Sequence, residues 1–317
     1  MPRTVNPQAG ERLMSNMATA HRPRTLLFGM PGALFTPVLM MLEHLQVPIC
    51  GIVTPAPAGA QADITTQRWL PRGSMMHLHS SQAATIPHVQ VRTMRSPEVI
   101  ESLTALNPDL IVVSCFPWLI PSGLYRMATW LALNVHPALL PAHRGPDPLF
   151  WTFHDGDHRT GVTIHELDET FDTGPVLLQS DVPLSAETSY GELEQQLGRI
   201  GAELLAGPLM DYPTRPKPFL PTTTFPSYES HATTEDLLIE PGWTVDRARR
   251  FICGVAESHG PLRYQVRSGR SLRIVGLGTP SDGSEILLRN GTLRVRTAST
   301  GHPLPSTGVD GSAVGMA

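Results

Sequence analysis

The feature that most constrains the fold is a strand–helix–strand pattern near the start of the chain. Residues 25–28 form an apolar run typical of a buried strand, and a turn with Gly29 and Gly32 follows. Residues 34–45 carry apolar side chains at helical spacing, and residues 47–53 return to a strand pattern. Two strands joined in this way pair in parallel through a right-handed crossover. The turn lacks a G-x-G-x-x-G motif and therefore gives poor support to a nucleotide pyrophosphate site.

Further apolar runs extend this unit into a larger sheet. The predicted strands are residues 88–91, 110–113, 131–133, 161–165 and 176–182. Ser96-Pro97 opens one predicted helix, and residues 189–209 form the longest one. We therefore predict an α/β fold: an open, mostly parallel, twisted, Rossmann-like sheet with helices on both faces. Residues 56–87 have no clear pattern, and we expect a partly helical excursion in which His77 and His79 are solvated.

A proline-rich segment divides the chain. Five prolines lie between residues 213 and 226, which is typical of an extended linker. Beyond it, residues 243–255 have a helical pattern, and several short strand patterns follow, the last two joined by the hairpin signal Asn290-Gly291. We predict a small β-rich, barrel-like C-terminal domain. The expected division is a disordered extension (1–22), a catalytic domain (23–212), the linker (213–226), the small domain (227–298) and a disordered tail (299–317). Met14 or Met17 is the alternative start.

Three polar residues follow two of the predicted strands. Asn134 and His136 come after the run 131–133, and Asp172 lies in the acidic loop after 161–165. Polar groups at the carboxyl ends of parallel strands meet in one crevice, so we expect these side chains to converge. An amide can stabilise an oxyanion, while an imidazole and a carboxylate move protons, which predicts an acyl-transfer site. Taken singly, each residue also fits a purely structural role in a turn, in packing or in a cap.

The surrounding motifs resemble those of a known family. They are Asn134-x-His136, Leu139-Leu140-Pro141, Arg144-Gly145, Gly161-Val162-Thr163 and Asp168-Glu169-x-x-Asp172-Thr173-Gly174. Their order and spacing resemble the 10-formyltetrahydrofolate-dependent formyltransferases, which include methionyl-tRNA formyltransferase, glycinamide ribonucleotide formyltransferase and the amino-sugar N-formyltransferases. The resemblance covers roughly residues 25–210 and, more weakly, the region after 226. It implies a one-carbon transferase in which Asn134, His136 and Asp172 are catalytic, 10-formyltetrahydrofolate is the co-substrate, and no metal takes part.

The resemblance also implies where the folate and the acceptor bind. The expected folate-binding residues are Phe116, Trp118, Leu119, Ile120, Leu167, Asp168, Glu169 and Phe171. On the residues alone, simple packing of the aromatic loop is an equal alternative. His165 and Arg144 are candidates for binding the acceptor. A satisfied core histidine and an arginine that anchors its own loop are the alternatives for these two.

Charge bears on the identity of the acceptor. The net charge is −4, and the segment after the second strand has no basic residue before Arg68, where the tRNA-modifying members resembled here carry a lysine-rich insertion. Because phosphate neutralisation dominates nucleic-acid affinity, we expect a small amine: an amino sugar, an amino-acid derivative or a biosynthetic intermediate. Methionyl-tRNA is the alternative, supported by six arginines of the second domain: Arg247, Arg249, Arg250, Arg267, Arg270 and Arg273. A non-catalytic folate-binding or adaptor protein is the third possibility.

The cysteines and the hydropathy suggest a location. Three widely spaced cysteines form no C-x-x-C pair, which favours a reducing compartment. No apolar run reaches the roughly 18 residues of a membrane span. We expect a cytoplasmic enzyme without a membrane partner. A second copy of the chain and a carrier protein are the partners considered, and an organellar transit peptide is a minor alternative.

Overall fold

The computed structural model describes residues 22–68, 86–221, 226–266, 271–279 and 283–298. Most of the expected extension and all of the expected tail lie outside this part, as do His77, His79, Arg267 and Arg270. The first part of the chain contains β1 (Thr25–Gly29), α1 (Phe35–His44), β2 (Ile49–Pro55), β3 (Ile64–Arg68), β4 (Pro87–Val91), α2 (Pro97–Thr104), β5 (Leu110–Ser114), α3 (Ser122–Tyr125), β6 (Leu131–His136), α4 (Pro148–Asp155), β7 (Arg159–Glu166), β8 (Val176–Pro183) and α5 (Tyr190–Met210). The remainder contains β9 (Leu238–Ile239), α6 (Val245–Val255), β10 (Leu262–Gln265), β11 (Ser271–Leu277), β12 (Ser284–Leu288) and β13 (Gly291–Thr297).

The first thirteen elements build one sheet of eight strands in the order β3-β4-β2-β1-β5-β6-β7-β8. The five strands from β4 to β6 pair in parallel, which confirms the predicted open, mostly parallel sheet. Both ends of the sheet are antiparallel. At one end, β3 pairs antiparallel to β4, so the described part of the 56–87 excursion contains a strand where we expected partial helix. At the other end, β7 and β8 form an antiparallel hairpin beside β6.

Helices cover both faces of this sheet, as predicted. Along β1, Leu27 contributes to the apolar cluster that contains α1 and α5. Its neighbours Leu26 and Phe28 contribute to the opposite cluster, which contains α2 and α3. This alternation is the two-residue period of a strand whose two faces are both buried.

Helix α4 was not predicted from the sequence. Pro148 occupies the first turn of this helix, and Gly156 ends it in the left-handed conformation with φ 74°. Both are recognised helix boundary signals. Helix α2 does begin at Pro97, but the predicted cap residue Ser96 makes no side-chain capping hydrogen bond.

The chain after the linker forms a second sheet of five strands in the order β12-β13-β11-β10-β9. The Asn290-Gly291 hairpin is present, with Leu288 opposite Gly291. The linker is less free than expected, because Phe219 N–H donates to the carbonyl of Val176 at 2.9 Å. The boundaries at 212 and 227 remain a proposal. Among the described helices, none combines the length and hydropathy that crossing a bilayer requires.

The two sheets share an apolar cluster at the contact between α4 and α6. Phe251 of α6 packs edge-on against Phe150 of α4, with ring centroids 5.8 Å apart. Gly254 faces the ring of Phe153, and a Cβ added at this glycine would lie 2.3 Å from that ring. The absence of a side chain at residue 254 is therefore what lets the two helices approach.

We expect Gly254→Ala to lower the free energy of unfolding by about 1–3 kcal/mol, because the added methyl group overpacks a buried ring. The matched control is Gly191→Ala in α5, where an added Cβ meets no atom within 4 Å. That change should leave stability unchanged or raise it by up to about 1 kcal/mol. Urea unfolding of the full chain measures both, and equal stabilities for the two variants would contradict the close approach of α4 and α6.

Candidate active site

The site is centred on the buried carboxylate of Asp172, whose side chain is only 6% exposed. Its Oδ1 accepts a hydrogen bond from Asn134 Nδ2 at 3.0 Å, and its Oδ2 accepts one from Gly145 N–H at 2.9 Å. Two imidazole nitrogens also face Oδ1, namely His136 Nδ1 at 3.5 Å and His165 Nε2 at 3.3 Å. The three predicted catalytic side chains therefore lie together, with His165 as a fourth member.

Antiparallel pairing brings these residues together. Asn134 lies opposite His165 in the β6–β7 ladder, and His136 is two residues further along β6 on the same face. The β7–β8 hairpin loop then brings Asp172 against them, in the left-handed conformation with φ 57°. The predicted convergence is thus present, but the expected cause was wrong. Asn134 and His136 lie within β6 itself, and β7 runs antiparallel to it.

Two backbone carbonyls fix the protons of the histidine rings. His136 Nε2 lies 2.8 Å from the carbonyl of His143, and His165 Nδ1 lies 2.9 Å from the carbonyl of Glu166. A carbonyl oxygen can only accept, so both nitrogens carry protons. In a neutral ring the other nitrogen then has a lone pair. In both rings that second nitrogen is the one that faces Asp172.

Burial and neighbouring charges set the ionisation of the pair. Burial lowers the pKa of His136 below its ordinary value, although the Asp172 carboxylate opposes this shift. Burial raises the pKa of Asp172, but the attraction that His136 and His165 exert when protonated, together with the hydrogen bond from Gly145 N–H, outweighs it and holds this pKa far below its usual range. We therefore describe an ionised Asp172 beside a neutral His136. Together they form a proton-accepting site, since a proton on either imidazole would be shared with the carboxylate.

A cavity of about 470 Å³ opens beside this cluster. The β7–β8 hairpin loop supplies four of the lining residues, and three other segments supply one each. The lining residues are Leu119, Arg144, Glu169, Thr170, Phe171, Thr173 and Tyr228. Leu119, Phe171 and Tyr228 are at least one-third exposed. Exposed apolar and aromatic side chains around a concave surface are typical of a small-molecule site.

The predicted folate residues divide into two groups. Leu119, Glu169 and Phe171 line the cavity. Phe116 and Trp118 pack edge-on against each other and against the apolar cluster on one face of the sheet. Ile120 is buried in that same cluster. Leu167 packs against that cluster, and Asp168 accepts hydrogen bonds from Thr170 and Thr173 within its own loop. These five residues do not line the cavity, so their role in folate binding remains a prediction.

The segment just after the linker was missed as part of the site. Ser227 N–H donates to the carbonyl of Pro141, and the carbonyl of Ser227 accepts from Arg144 Nε at 3.0 Å. Glu229 N–H donates to the carbonyl of Arg144. A Cβ at Gly145 would lie 2.1 Å from the carbonyl oxygen of Glu229. Residues 226–230 therefore hold the loop that presents Gly145 N–H to Asp172, and Arg144 both anchors this loop and lines the cavity.

The sequence carried only partial signals for these contacts. The Arg144-Gly145 motif marked the loop, and the glycine is required there by the approach of Glu229. Nothing local in the sequence shows that residues 226–230 return to this loop. His143, which lies between the motifs used for recognition, was passed over.

Comparison with known proteins places this geometry in a family. Residues 49–207 match the sequence profile of a family described as “Formyl transferase”. The methionyl-tRNA formyltransferase of Syntrophus aciditrophicus is 34% identical over 220 residues, which cover 67% of this chain and 70% of that protein.

Two solved structures show a similar fold. A sugar N-formyltransferase from a Shewanella species superposes with a TM-score of 0.54 at 17% identity, covering 80% of this chain and 97% of that one. HypX from Aquifex aeolicus in complex with tetrahydrofolic acid gives a TM-score of 0.55 at 15% identity. That match covers 87% of this chain but 44% of the HypX chain.

The ionisation of Asp172 predicts how stability depends on pH. Because its folded pKa is lowered, its contribution is present above the unfolded value near 3.9 and is lost as the pH falls toward the folded value. Asp172→Asn should therefore destabilise the protein at pH 7 by more than about 1 kcal/mol, and the deficit should shrink at pH 3. Asp181→Asn, at a half-exposed surface ion pair, is the control and should cost at most about 1 kcal/mol. Urea unfolding at both pH values decides, and a deficit independent of pH would contradict an ionised Asp172.

Proposed function

Because the chain belongs to the formyl transferase family, we propose that it transfers a formyl group from 10-formyltetrahydrofolate to a primary amine. In this proposal the catalytic residues are Asn134, His136 and Asp172. The observation that carries the proposal is the ionised carboxylate of Asp172 facing two imidazole nitrogens. Formyl transfer requires the attacking amine to lose a proton and N10 of the departing tetrahydrofolate to gain one, and this cluster can accept the first proton and return it to N10. A non-catalytic adaptor would have no use for a buried carboxylate held in this way.

The cavity beside the cluster fits a folate donor. Phe171 and Leu119 offer flat apolar surface to a pterin ring, and the hairpin loop supplies polar groups at its edge. The tetrahydrofolic acid in the HypX structure supports the choice of this co-substrate. When bound, the folate supplies an activated formyl carbon next to the acceptor amine.

The proton path follows from the ring protons already assigned. His136 Nδ1 and His165 Nε2 are the acceptors that face Asp172, and each ring is held by a carbonyl on its other nitrogen. A proton released by the amine reaches the carboxylate or one of these nitrogens without either ring having to turn. Positioned general bases of this kind contribute roughly 10²–10⁴-fold to rate.

Asn134 links proton uptake to oxyanion stabilisation. Its amide Nδ2 lies 3.0 Å from Asp172 Oδ1 and 3.1 Å from His165 Nε2, so both of its N–H groups are engaged. Once His165 Nε2 carries a proton it can no longer accept from Asn134. One N–H is then released toward the reacting carbonyl oxygen, a contact worth about 3–4 kcal/mol in oxyanion holes.

We propose methionyl-tRNA as the first acceptor to test. The relative from Syntrophus carries that name and is matched over 67% of this chain, and this supports the tRNA acceptor better than the small amine favoured by the sequence. Cytoplasmic location, favoured by three unpaired cysteines, and a homodimeric or carrier partner remain parts of the proposal.

A small amine remains the second candidate because two of the six predicted arginines are engaged within the described part of the fold. Arg250 is buried, with Nη1 donating to the carbonyl of Leu184, and Arg247 stacks on Trp243 while donating to the carbonyl of His154. Arg273 has a buried Nη2, Arg249 is half-buried, and Arg267 and Arg270 lie outside the described residues. Arginines that join two parts of the fold are not free to contact phosphates.

We expect Asp172→Asn and His136→Ala each to lower kcat by at least about a hundredfold, because each removes a proton acceptor. Release of tetrahydrofolate in the presence of acceptor measures kcat. The control is His231→Ala at an exposed position after the linker, which should match the wild type. Calorimetry with 5-formyltetrahydrofolate should show folate binding retained in both catalytic variants. Near-normal turnover by either one would reject the assigned cluster.

The salt dependence of the rate distinguishes the two acceptors. A protein that makes six to ten phosphate contacts loses roughly 10³–10⁵ in affinity between 50 and 200 mM salt. If methionyl-tRNA is the acceptor, kcat/KM for it should fall steeply over this range. A small amine held by one or two charges should change by less than about tenfold. Initial rates with charged initiator tRNA and with a panel of amino sugars and amino acids decide between them. Turnover of neither class by the folded protein would count against the proposed activity.

A further inference from the structure

His143 connects three separate parts of the chain at the rear of the catalytic cluster. It lies in the β6–α4 loop with its side chain 92% buried and its backbone in the left-handed conformation, φ 53°. Its own N–H donates to Ser227 Oγ at 2.8 Å, and its carbonyl accepts from His136 Nε2 at 2.8 Å. Its imidazole lies between two carboxylates, Asp157 in the α4–β7 turn and Glu229 after the linker.

The carbonyl of His143 decides which nitrogen of His136 faces Asp172. As long as this carbonyl accepts the Nε2 proton, the lone pair of neutral His136 is on Nδ1. If the carbonyl moved away, Nε2 could become the acceptor and Nδ1 the proton carrier. His136 would then present a donor to the Asp172 carboxylate and could no longer take up a proton there. The position of this one carbonyl therefore affects the proton chemistry directly.

The carbonyl is held in place through the imidazole of the same residue. His143 Nε2 lies 2.8 Å from Asp157 Oδ2, and His143 Nδ1 lies 3.6 Å from Glu229 Oε2. Both Nδ1 and Glu229 Oε2 are buried, and neither has a hydrogen-bond partner among the described residues. Unlike Asp172 Oδ1, which accepts from Asn134, these two facing acceptors have no other donor among the described residues and need a positive charge between them. A second proton on His143 supplies that charge.

We propose that His143 is a positioning residue: held as an imidazolium between Asp157 and Glu229, it fixes the carbonyl that orients His136 and ties the post-linker segment to the catalytic cluster. This inference rests on the proposed formyl transfer. It adds that the second half of the chain, through Glu229 and Ser227, is required for the correct ring proton of His136.

The charges around His143 agree with this assignment. Burial disfavours the charged ring, but the hydrogen bond that His143 donates to Asp157 and the carboxylates of Glu229 and Asp155 together raise the pKa of His143. Two further groups face this cluster: His136, which disfavours a charge on His143 only when it is itself protonated, and Arg247, whose Nη2 lies 3.8 Å from Asp155 Oδ1. A raised pKa means that the ion pairs are present at low and neutral pH and are lost as the pH rises through the folded value.

A metal ion is the alternative source of the positive charge. His143, Asp155 and Glu229 offer ligand atoms within 4.8 Å of one another. Asp155, however, already pairs with His154 Nδ1 at 2.9 Å and lies near Arg247, and His143 Nε2 is engaged with Asp157. That leaves two unpaired ligand atoms, whereas structural zinc sites use four. A proton satisfies the two atoms without further ligands.

The test compares His143→Asn, Glu229→Gln and Asp157→Asn with the exposed control Glu235→Gln in the full chain. Asparagine tolerates the left-handed backbone but cannot hold the charge. We expect His143→Asn to lower kcat by about tenfold or more through misplacement of His136, with KM for the folate little changed. In Glu229→Gln and Asp157→Asn the alkaline limb of the kcat profile should move to lower pH, because the groups that favour the imidazolium are weakened. A merely structural role would lower stability without moving this limb.

Nitrogen-15 spectra of the histidines in the ligand-free protein provide a readout independent of turnover. The wild type should show His136 protonated on Nε2 and His143 protonated on both nitrogens at neutral pH, and His143→Asn should show a mixture of His136 tautomers. Unchanged His136 tautomers and an unmoved alkaline limb in all three variants would overturn the proposal. So would tight zinc binding by the wild type in calorimetry that Glu229→Gln abolishes. An inactive wild type with the expected spectra would count against formyl transfer alone.

Discussion

The structure of the site depends on the burial of one ionised carboxylate. Asp172 is removed from water, and a buried charge is tolerated only where polar groups surround it. Those groups come from β6, from β7 and from the β6–α4 loop, through Asn134, His165 and Gly145 N–H. Three features bring these groups to the carboxylate: the antiparallel placement of β7, the left-handed turn at Asp172 and the glycine at residue 145. Catalytic potential and local folding therefore have the same physical origin.

The second half of the chain makes direct contacts with the part that carries the site and does not stand apart from it as an independent domain. Residues 226–230 extend the catalytic loop by backbone hydrogen bonds, and helix α6 packs against α4 in a shared apolar cluster. Arg250 of α6 is buried and donates to the carbonyl of Leu184, which ties the same helix to the segment after β8. An enzyme built in this way does not separate into a catalytic part and an independent acceptor-binding part. Both parts contribute residues to the cavity beside the cluster.

Features that depend on neighbouring residues could be predicted from the sequence, whereas features that depend on residues far apart in the chain could not. The β1–α1–β2 unit and the Asn290-Gly291 hairpin were predictable because neighbouring residues determine them. The grouping of Asn134, His136 and Asp172 was predicted from the sequence, but the direction of β7 was not, because an apolar run such as residues 161–165 fits either direction in a sheet. The left-handed backbone of His143 and its pairing with Glu229 lie beyond any local pattern, because two residues far apart in the chain create them only after the linker has folded back.

The choice of acceptor has to arise outside the catalytic cluster. In the proposed mechanism Asn134, His136 and Asp172 handle only a proton and an oxyanion, and those needs are the same for a sugar amine and for an aminoacyl group. What differs is the surface around the cavity, where Tyr228 and Arg144 lie side by side in an isolated bridge. Tyr228 belongs to the same short segment that supports Gly145 and His143. Any acceptor that shifts Tyr228 therefore acts on the loop that presents Gly145 N–H to Asp172, and so acceptor recognition and the proton-accepting geometry are physically coupled.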